Sequence, residues 1–226
     1  MITVKKNAIR YKSSDGTMKD SGVLCQVGTF GVDLFPTLET VTFSTEIENI
    51  HENLELNLVN AKTIQSLIDY KLINFEKLTV VISSKCTSMQ NAFRARSISE
   101  AGNLKTIEIK GDMSGVTTMI NAFNNRVTLE KIIGYLDFTS VAGSVTFADC
   151  RNLKEIRVVK KSVSVTLNFG SCSLLSDTSI ESLVNGFADM IGQTAIVFTV
   201  HKDVKARIEA NPVWLATLTS KNVTLA

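Results

Sequence analysis

The sequence predicts a β-rich α/β protein organised as a repeat solenoid. It is read as an N-terminal β-hairpin cap over residues 1–35, repeats over 36–175 and an α/β C-terminal cap over 176–226. Two observations lead there. Phenylalanine and leucine recur at one separation, Phe123 to Leu129, Phe147 to Leu153 and Phe169 to Leu175, each six residues apart. The phenylalanines advance by 24 and then 22 residues, a period at which a unit cannot bury its own apolar face and stacks on neighbours. A third observation permits the architecture: 44% of the 226 residues are hydrophobic, enough to fill an interior.

At the N-terminus, Ala8 to Lys12 and Gly22 to Val27 have strand character and flank Asp15-Gly16. Asp-Gly supplies the positive φ of a tight turn, which predicts the hairpin. Leu38-x-x-Val41-x-Phe43 and the alternating Leu54, Leu56 and Leu58 begin the repeats irregularly, and Leu78 with Val81 continues them. The pattern is clearest in Leu104-x-x-Ile107-x-Ile109, Leu129-x-x-Ile132 and Leu153-x-x-Ile156-x-Val158, each read as a strand with aliphatic side chains turned inward. Phe93 to Leu104 is 11 residues rather than six. The five-residue excess predicts a surface loop between Arg94 and Asn103.

Past Leu175 the period becomes helical, with Ile180, Leu183, Val184, Phe187, Met190 and Ile191 on one face. Thr178 and Glu181 read as a capping box, and Gly192 as the C-terminal stop. Ala195 to Val200 reads as a strand, Lys202 to Ala210 as a short helix ended by Asn211-Pro212, and Val223 to Leu225 as a last strand. Trp214, the single tryptophan, is expected to pack into this cap.

Composition excludes several roles. A net charge of +2 from 24 basic and 22 acidic residues spread along the chain gives no field for nucleic acid. No run of about 18 apolar residues predicts membrane insertion, and the first residues lack the apolar core of a signal peptide. Cys25, Cys86, Cys150 and Cys172 show no metal spacing. Cys150 and Cys172 each lie three residues after a repeat phenylalanine, so they are read as equivalent buried fillers. Glu46, Glu48, His51, Glu52 and Glu55 are acidic residues around one of two histidines, in a spacing that fits no helical His pair or calcium loop. Gly111-Asp112-Met113-Ser114-Gly115 lacks the lysine of a phosphate loop and reads as a turn. No catalytic residue, metal site or cofactor is assigned.

Phe147-Ala148-Asp149-Cys150-Arg151-Asn152-Leu153-Lys154-Glu155-Ile156 carries Phe-x-x-Cys-x-x-Leu-x-x-Ile in full. Phe169 to Leu175 carries its first part, and Phe123 to Ile132 has Arg126 in the cysteine place. This resembles the bacterial leucine-rich repeats of the BspA type. The tail from Gly192-Gln193-Thr194-Ala195 through Val223-Thr224-Leu225 is similar to segments closing such repeats in gut Firmicutes and their prophages. The opening Ile9 to Gly16, followed by Ser21-Gly22-Val23, resembles N-terminal segments of phage tail-associated proteins.

The resemblance implies a leucine-rich-repeat solenoid acting as a non-enzymatic recognition or structural protein, and for phage members a part of the tail. The expected partner is a protein or a surface glycan, and the expected location is a virion tail or a bacterial cell surface, no signal peptide being visible. A cell-surface adhesin whose leader has been removed is the alternative, with a glycan-active enzyme ranked last. A homo-oligomer is left open.

The strand face is where such arrays meet partners. Aligned on the leucines, Lys105, Glu130 and Lys154 form one row and Thr106, Lys131 and Glu155 the next, so opposite charges lie side by side as exposed ion pairs of small energetic weight. Four residues past the leucines stand Glu108, Ile133 and Arg157. Glu108, Lys131 and Arg157 are the binding residues proposed from sequence.

Overall fold

The computed structural model describes residues 8–12, 18–24, 29–31, 41–43, 53–59, 61–64 and 76–226. The Asp15-Gly16 turn, Cys25, Leu38, and Glu46, Glu48, His51 and Glu52 lie outside the described residues.

Thirteen strands and three α-helices are found among the described residues. The strands are β1 (Ala8–Lys12), β2 (Met18–Leu24), β3 (Thr29–Gly31), β4 (Val41–Phe43), β5 (Asn53–Asn57), β6 (Lys77–Ile82), β7 (Thr106–Gly111), β8 (Lys131–Leu136), β9 (Ser144–Thr146), β10 (Glu155–Val158), β11 (Thr166–Phe169), β12 (Ile196–Val200) and β13 (Val223–Leu225). The helices are α1 (Asp177–Gly186), α2 (Lys202–Glu209) and α3 (Pro212–Ser220).

Strands β2, β1 and β4 make a small antiparallel sheet. A six-stranded parallel sheet runs β10-β8-β7-β6-β5-β3, and a four-stranded parallel sheet runs β13-β12-β11-β9. β3, from the expected N-terminal cap, thus joins the large sheet, while β4, from the expected repeat region, pairs with β1.

This corrects the expected fold class. No single leucine-rich-repeat solenoid with one strand per unit is evident among the described residues; they are α/β-like, with two parallel sheets, one small antiparallel sheet and three helices in the C-terminal half. The physical reason lies in the segments just before the phenylalanines. Within the regular repeats sequence reading gave strand character only to Leu-x-x-Ile, yet Ser144-Val145-Thr146 and Thr166-Leu167-Asn168-Phe169 alternate in and out of the core and pair with each other in a separate sheet.

Both parallel sheets close over one apolar core that includes Ile107, Ile132 and Ile156 from the first and Val145, Leu167 and Phe198 from the second. Four fully buried phenylalanines stack through it. Ring centroids lie 5.3 Å apart for Phe93–Phe123, 5.1 Å for Phe123–Phe147 and 4.2 Å for Phe147–Phe169, with planes within 24°. Beyond Phe169 the stack turns edge-on to Phe198 at 85°, and Phe198 meets Phe187 at 60°. Stacked and edge-on geometries both suit the ring quadrupole.

The helical period was read too far. α1 starts two residues earlier than the Thr178–Glu181 pair implies, because Ser176 is the N-cap and accepts from the Ser179 amide. It ends at Gly186, where Phe187 turns extended, bridges Val163 and packs on Phe198. Met190 and Ile191 therefore lie beyond the helix, and Ile191 is exposed. At the other end, Asn211-Pro212 both stops α2 and starts α3: the Asn211 side chain accepts from the amides of Val213 and Trp214, and Pro212 fills the first helical position, which has no amide to satisfy. Trp214 is partly buried against the core.

Candidate binding face

The outward side of the six-stranded sheet is set by strand alternation. In β7, Ile107 and Ile109 are buried while Thr106 and Glu108 face out; in β8, Ile132 and Leu136 are buried while Lys131, Ile133 and Tyr135 face out. In β10, Ile156 and Val158 are buried and Glu155 and Arg157 are exposed. Glu108, Lys131 and Arg157 therefore share one face, but they do not form one cluster.

Glu108 is tied down. Its Oε2 accepts from Thr79 Oγ1 at 3.0 Å and pairs with Lys77 Nζ at 2.6 Å. The Lys77 hydrogen bond holds its carboxyl below the usual carboxylate range. Lys131 is also engaged, Nζ to Glu155 Oε1 at 2.7 Å, and that bond raises its pKa. Glu130–Lys154 at 3.1 Å and Lys105–Glu76 at 2.7 Å complete the charged rows. Arg157 differs: its guanidinium has no hydrogen-bond or ion-pair partner among the described residues.

Register explains why. Sequence alignment on the leucines sets Arg157 level with Ile133, whereas across the β8–β10 pairing Glu155 lies opposite Lys131 and Arg157 opposite Tyr135. Three residues of β10, 155–157, thus span five of β8, 131–135. The bulge is fixed at Gly134, whose φ is +99° and where a Cβ would stand 2.2 Å from the Ile109 carbonyl oxygen. Only glycine fits, as at Gly111 (φ +94°, 2.0 Å from Ile82 O) in the preceding strand.

The outer face of β8 consequently presents Lys131, Ile133 and Tyr135 to only Glu155 and Arg157 on β10, and a groove of about 640 Å³ opens there. Its lining includes Ile133, Tyr135, Glu155, Arg157, Ser176 and Thr178. Tyr135 is 59% exposed and Ile133 41%. Sequence reading missed Tyr135 and Thr178; the signal was Gly134, a glycine inside a strand pattern, which marks a bulge.

One wall of the groove is α1, which also seals the sheet edge. The Ser179 hydroxyl accepts from the Ile156 amide at 3.0 Å and donates to the Lys154 carbonyl at 2.9 Å, and the Ser182 hydroxyl accepts from the Val158 amide at 3.0 Å. The Ser176 amide donates to the Lys154 carbonyl at 2.9 Å. Serines thus take the place of the next strand at the Ile156 and Val158 amides and the Lys154 carbonyl. A second, wider concavity near Val141, Val165 and Ala195 carries no charged side chain.

Other residues weighed in the sequence have structural work. Cys86, Cys150 and Cys172 are buried free thiols. Burial pushes the Cys150 thiol up to about 12 and raises those of Cys172 and Cys86. They are also donors: Cys150 Sγ reaches the Phe123 carbonyl at 3.1 Å and Cys172 Sγ the Phe147 carbonyl at 3.7 Å. Arg126, the third member of this series, is 2% exposed and donates from Nε to the Phe93 carbonyl. Its Nη1 donates to the Ala101 carbonyl at 2.8 Å and Nη2 to that of Arg94 at 3.4 Å. The buried guanidinium thereby pins the loop inserted after Phe93, whose middle is a 3-10 turn at Ile98–Glu100. Burial lowers its pKa to about 10, which leaves it charged at neutral pH. His201 caps α2, Nδ1 accepting from the Asp203 amide at 3.3 Å. In the Gly111–Gly115 turn, Asp112 accepts from the Ser114 amide at 2.8 Å.

Among the described residues no group of three His, Cys, Asp or Glu is placed to hold a metal ion, and no helix is long and apolar enough to cross a membrane. No protein-family model, curated protein or solved structure matches the chain.

Proposed function

We propose that this chain is a non-enzymatic recognition protein that binds a partner through the outer face of its six-stranded sheet, centred on the β8–β10 groove. The observation that carries this reading is the combination there of an exposed tyrosine, an exposed isoleucine and an arginine without a partner among the described residues, on a face where Glu108, Lys131 and Glu130 are each paired. A face built on hydrogen-bonded strands needs little ordering on contact, so little of the contact energy is lost. Buried thiols with raised pKa values are unsuited to nucleophilic work, which favours binding over thiol chemistry.

The setting we propose is a phage or prophage tail, or a bacterial surface, with a surface glycan as partner; it rests on the likeness of Phe147 to Ile156 to BspA-type repeats and of the opening segment to tail-associated proteins. The three residues chosen from sequence are narrowed accordingly. Arg157 keeps its role, whereas Glu108 and Lys131 serve mainly to hold the face.

Labelled protein incubated with intact candidate host bacteria and with their isolated wall polysaccharides tests the reading. Saturable binding that Tyr135→Ala and Arg157→Ala weaken, and that Lys105→Ala on the same sheet leaves unchanged, is expected. Binding indifferent to both groove substitutions would place recognition elsewhere, and release of shortened glycan products would make the protein an enzyme.

A further inference from the structure

We propose that the β8–β10 groove is a subsite for an acidic sugar, a hexuronate-type residue whose carboxylate meets Arg157 while its ring lies on Tyr135. This rests on the recognition reading above and adds the chemical class of the ligand.

Charge sets the sign of the ligand. Two charged residues line the groove, Glu155 and Arg157; Glu155 is compensated by Lys131 at 2.7 Å, and the nearby Asp177 at the start of α1 is paired with Arg207. Arg157 is the charge left over. A guanidinium offers a planar fork of donors that matches a carboxylate with two parallel hydrogen bonds. Its cross-strand neighbour is Tyr135, so the two residues project from adjacent strands whose backbones lie about 4.8 Å apart.

Shape and polarity choose between a sugar and a peptide. About 640 Å³ accommodates one or two pyranose rings. Tyr135 and Ile133 supply an apolar floor, and the exposed Thr178 with Glu155 on the flanks supplies a hydroxyl and a carboxylate for ring hydroxyls. An acidic peptide fits less well. Its side-chain carboxylate carries no broad C–H face to lie on a tyrosine, and its backbone cannot add to β10, because Ser179, Ser182 and Ser176 already occupy the amides of Ile156 and Val158 and the carbonyl of Lys154. Strand addition, the commonest way for an extended peptide to use a sheet, is therefore closed at this edge.

The test is calorimetric titration of the full chain with oligogalacturonate, with the same oligosaccharide after carboxyl reduction, and with oligoglutamate. Wild type is expected to bind oligogalacturonate at least about tenfold more tightly than the reduced chain, the size of effect a charge-assisted bidentate contact supports. Arg157→Gln should abolish that preference, Arg157→Lys should retain part of it, and Tyr135→Ala should weaken both oligosaccharides by about fivefold. Circular dichroism melts show that each variant is folded before its titration is read. Equal binding of the reduced chain, a preference that survives Arg157→Gln, oligoglutamate binding as tightly as the uronate, or no uronate binding at all would each overturn the proposal. If wall polysaccharides still bind through Tyr135 without preferring acidic chains, this inference falls and the recognition reading stands.

Discussion

The phenylalanine column and the outer face of the six-stranded sheet are built on the same period, but they treat departures from it differently. In the interior, Phe93, Phe123, Phe147 and Phe169 keep one ring in each place, and the slot three residues on keeps a donor to the preceding phenylalanine carbonyl even where Arg126 replaces cysteine. On the outer face the rows Lys77–Glu108, Lys131–Glu155 and Glu130–Lys154 are regular until Gly134 shifts β8 against β10. A close-packed interior has atoms on every side of a changed group and must compensate. The outer face has water on one side, so an interruption there costs little to keep. It leaves an unpaired arginine beside an exposed tyrosine, and a partner can use both.

The largest effect is expected inside. Phe147→Ala removes a ring stacked on both sides and should lower stability by about 3–5 kcal/mol, read from the urea midpoint; a loss below about 1 kcal/mol would mean the column is not a packed unit. Arg126→Met comes next. It fills similar volume but leaves the carbonyls of Phe93, Ala101 and Arg94 without their donor, at about 1–3 kcal/mol for a buried unsatisfied group, and amide exchange should quicken between residues 94 and 103 before the rest of the chain responds.

The buried thiols give a smaller effect with a definite sign. Cys150 and Cys172 titrate higher in the folded chain than their ordinary value of 9.0. The unfolded chain therefore loses these protons first, so the thiol contribution is complete below pH 9 and declines as pH rises toward 12. Urea midpoints should fall between pH 8.5 and about 10.5, and less steeply in Cys150→Ala/Cys172→Ala. Glu108 should show the smallest change and the opposite sense. Its depressed carboxyl stabilises the fold above its ordinary value of 4.5, and the benefit fades as pH falls below it. Glu108→Gln should lower stability slightly at neutral pH, the difference from wild type closing as pH falls below 4.5 and the acid limb flattening accordingly.

These contrasts also explain what could be read from the residues alone. The inward aliphatics at Ile107, Ile132 and Ile156 were legible because burial imposes a period on large side chains. Of the second parallel sheet, β12 and β13 were legible as strands but β9 and β11 were not, since these are three and four residues long and carry threonine and asparagine among their apolar positions. Phe187 continues a helical period in sequence but leaves the helix, bridging Val163 and packing its ring edge-on to Phe198, contacts between residues far apart in sequence that a local period does not encode. Of the candidate site, the face and Arg157 were legible from alternation and charge, whereas Tyr135 was hidden by a leucine alignment that does not account for the bulge at Gly134.

The central claim is that recognition occurs where the β8–β10 register breaks. Hydrogen–deuterium exchange of the full chain, with and without a bound wall polysaccharide, tests it most directly. Protection is predicted in residues 131–136, 155–158 and 176–178, with 104–110 on the regular part of the same face unchanged. Protection confined to the four-stranded sheet at residues 166–169 and 196–200 would contradict the account.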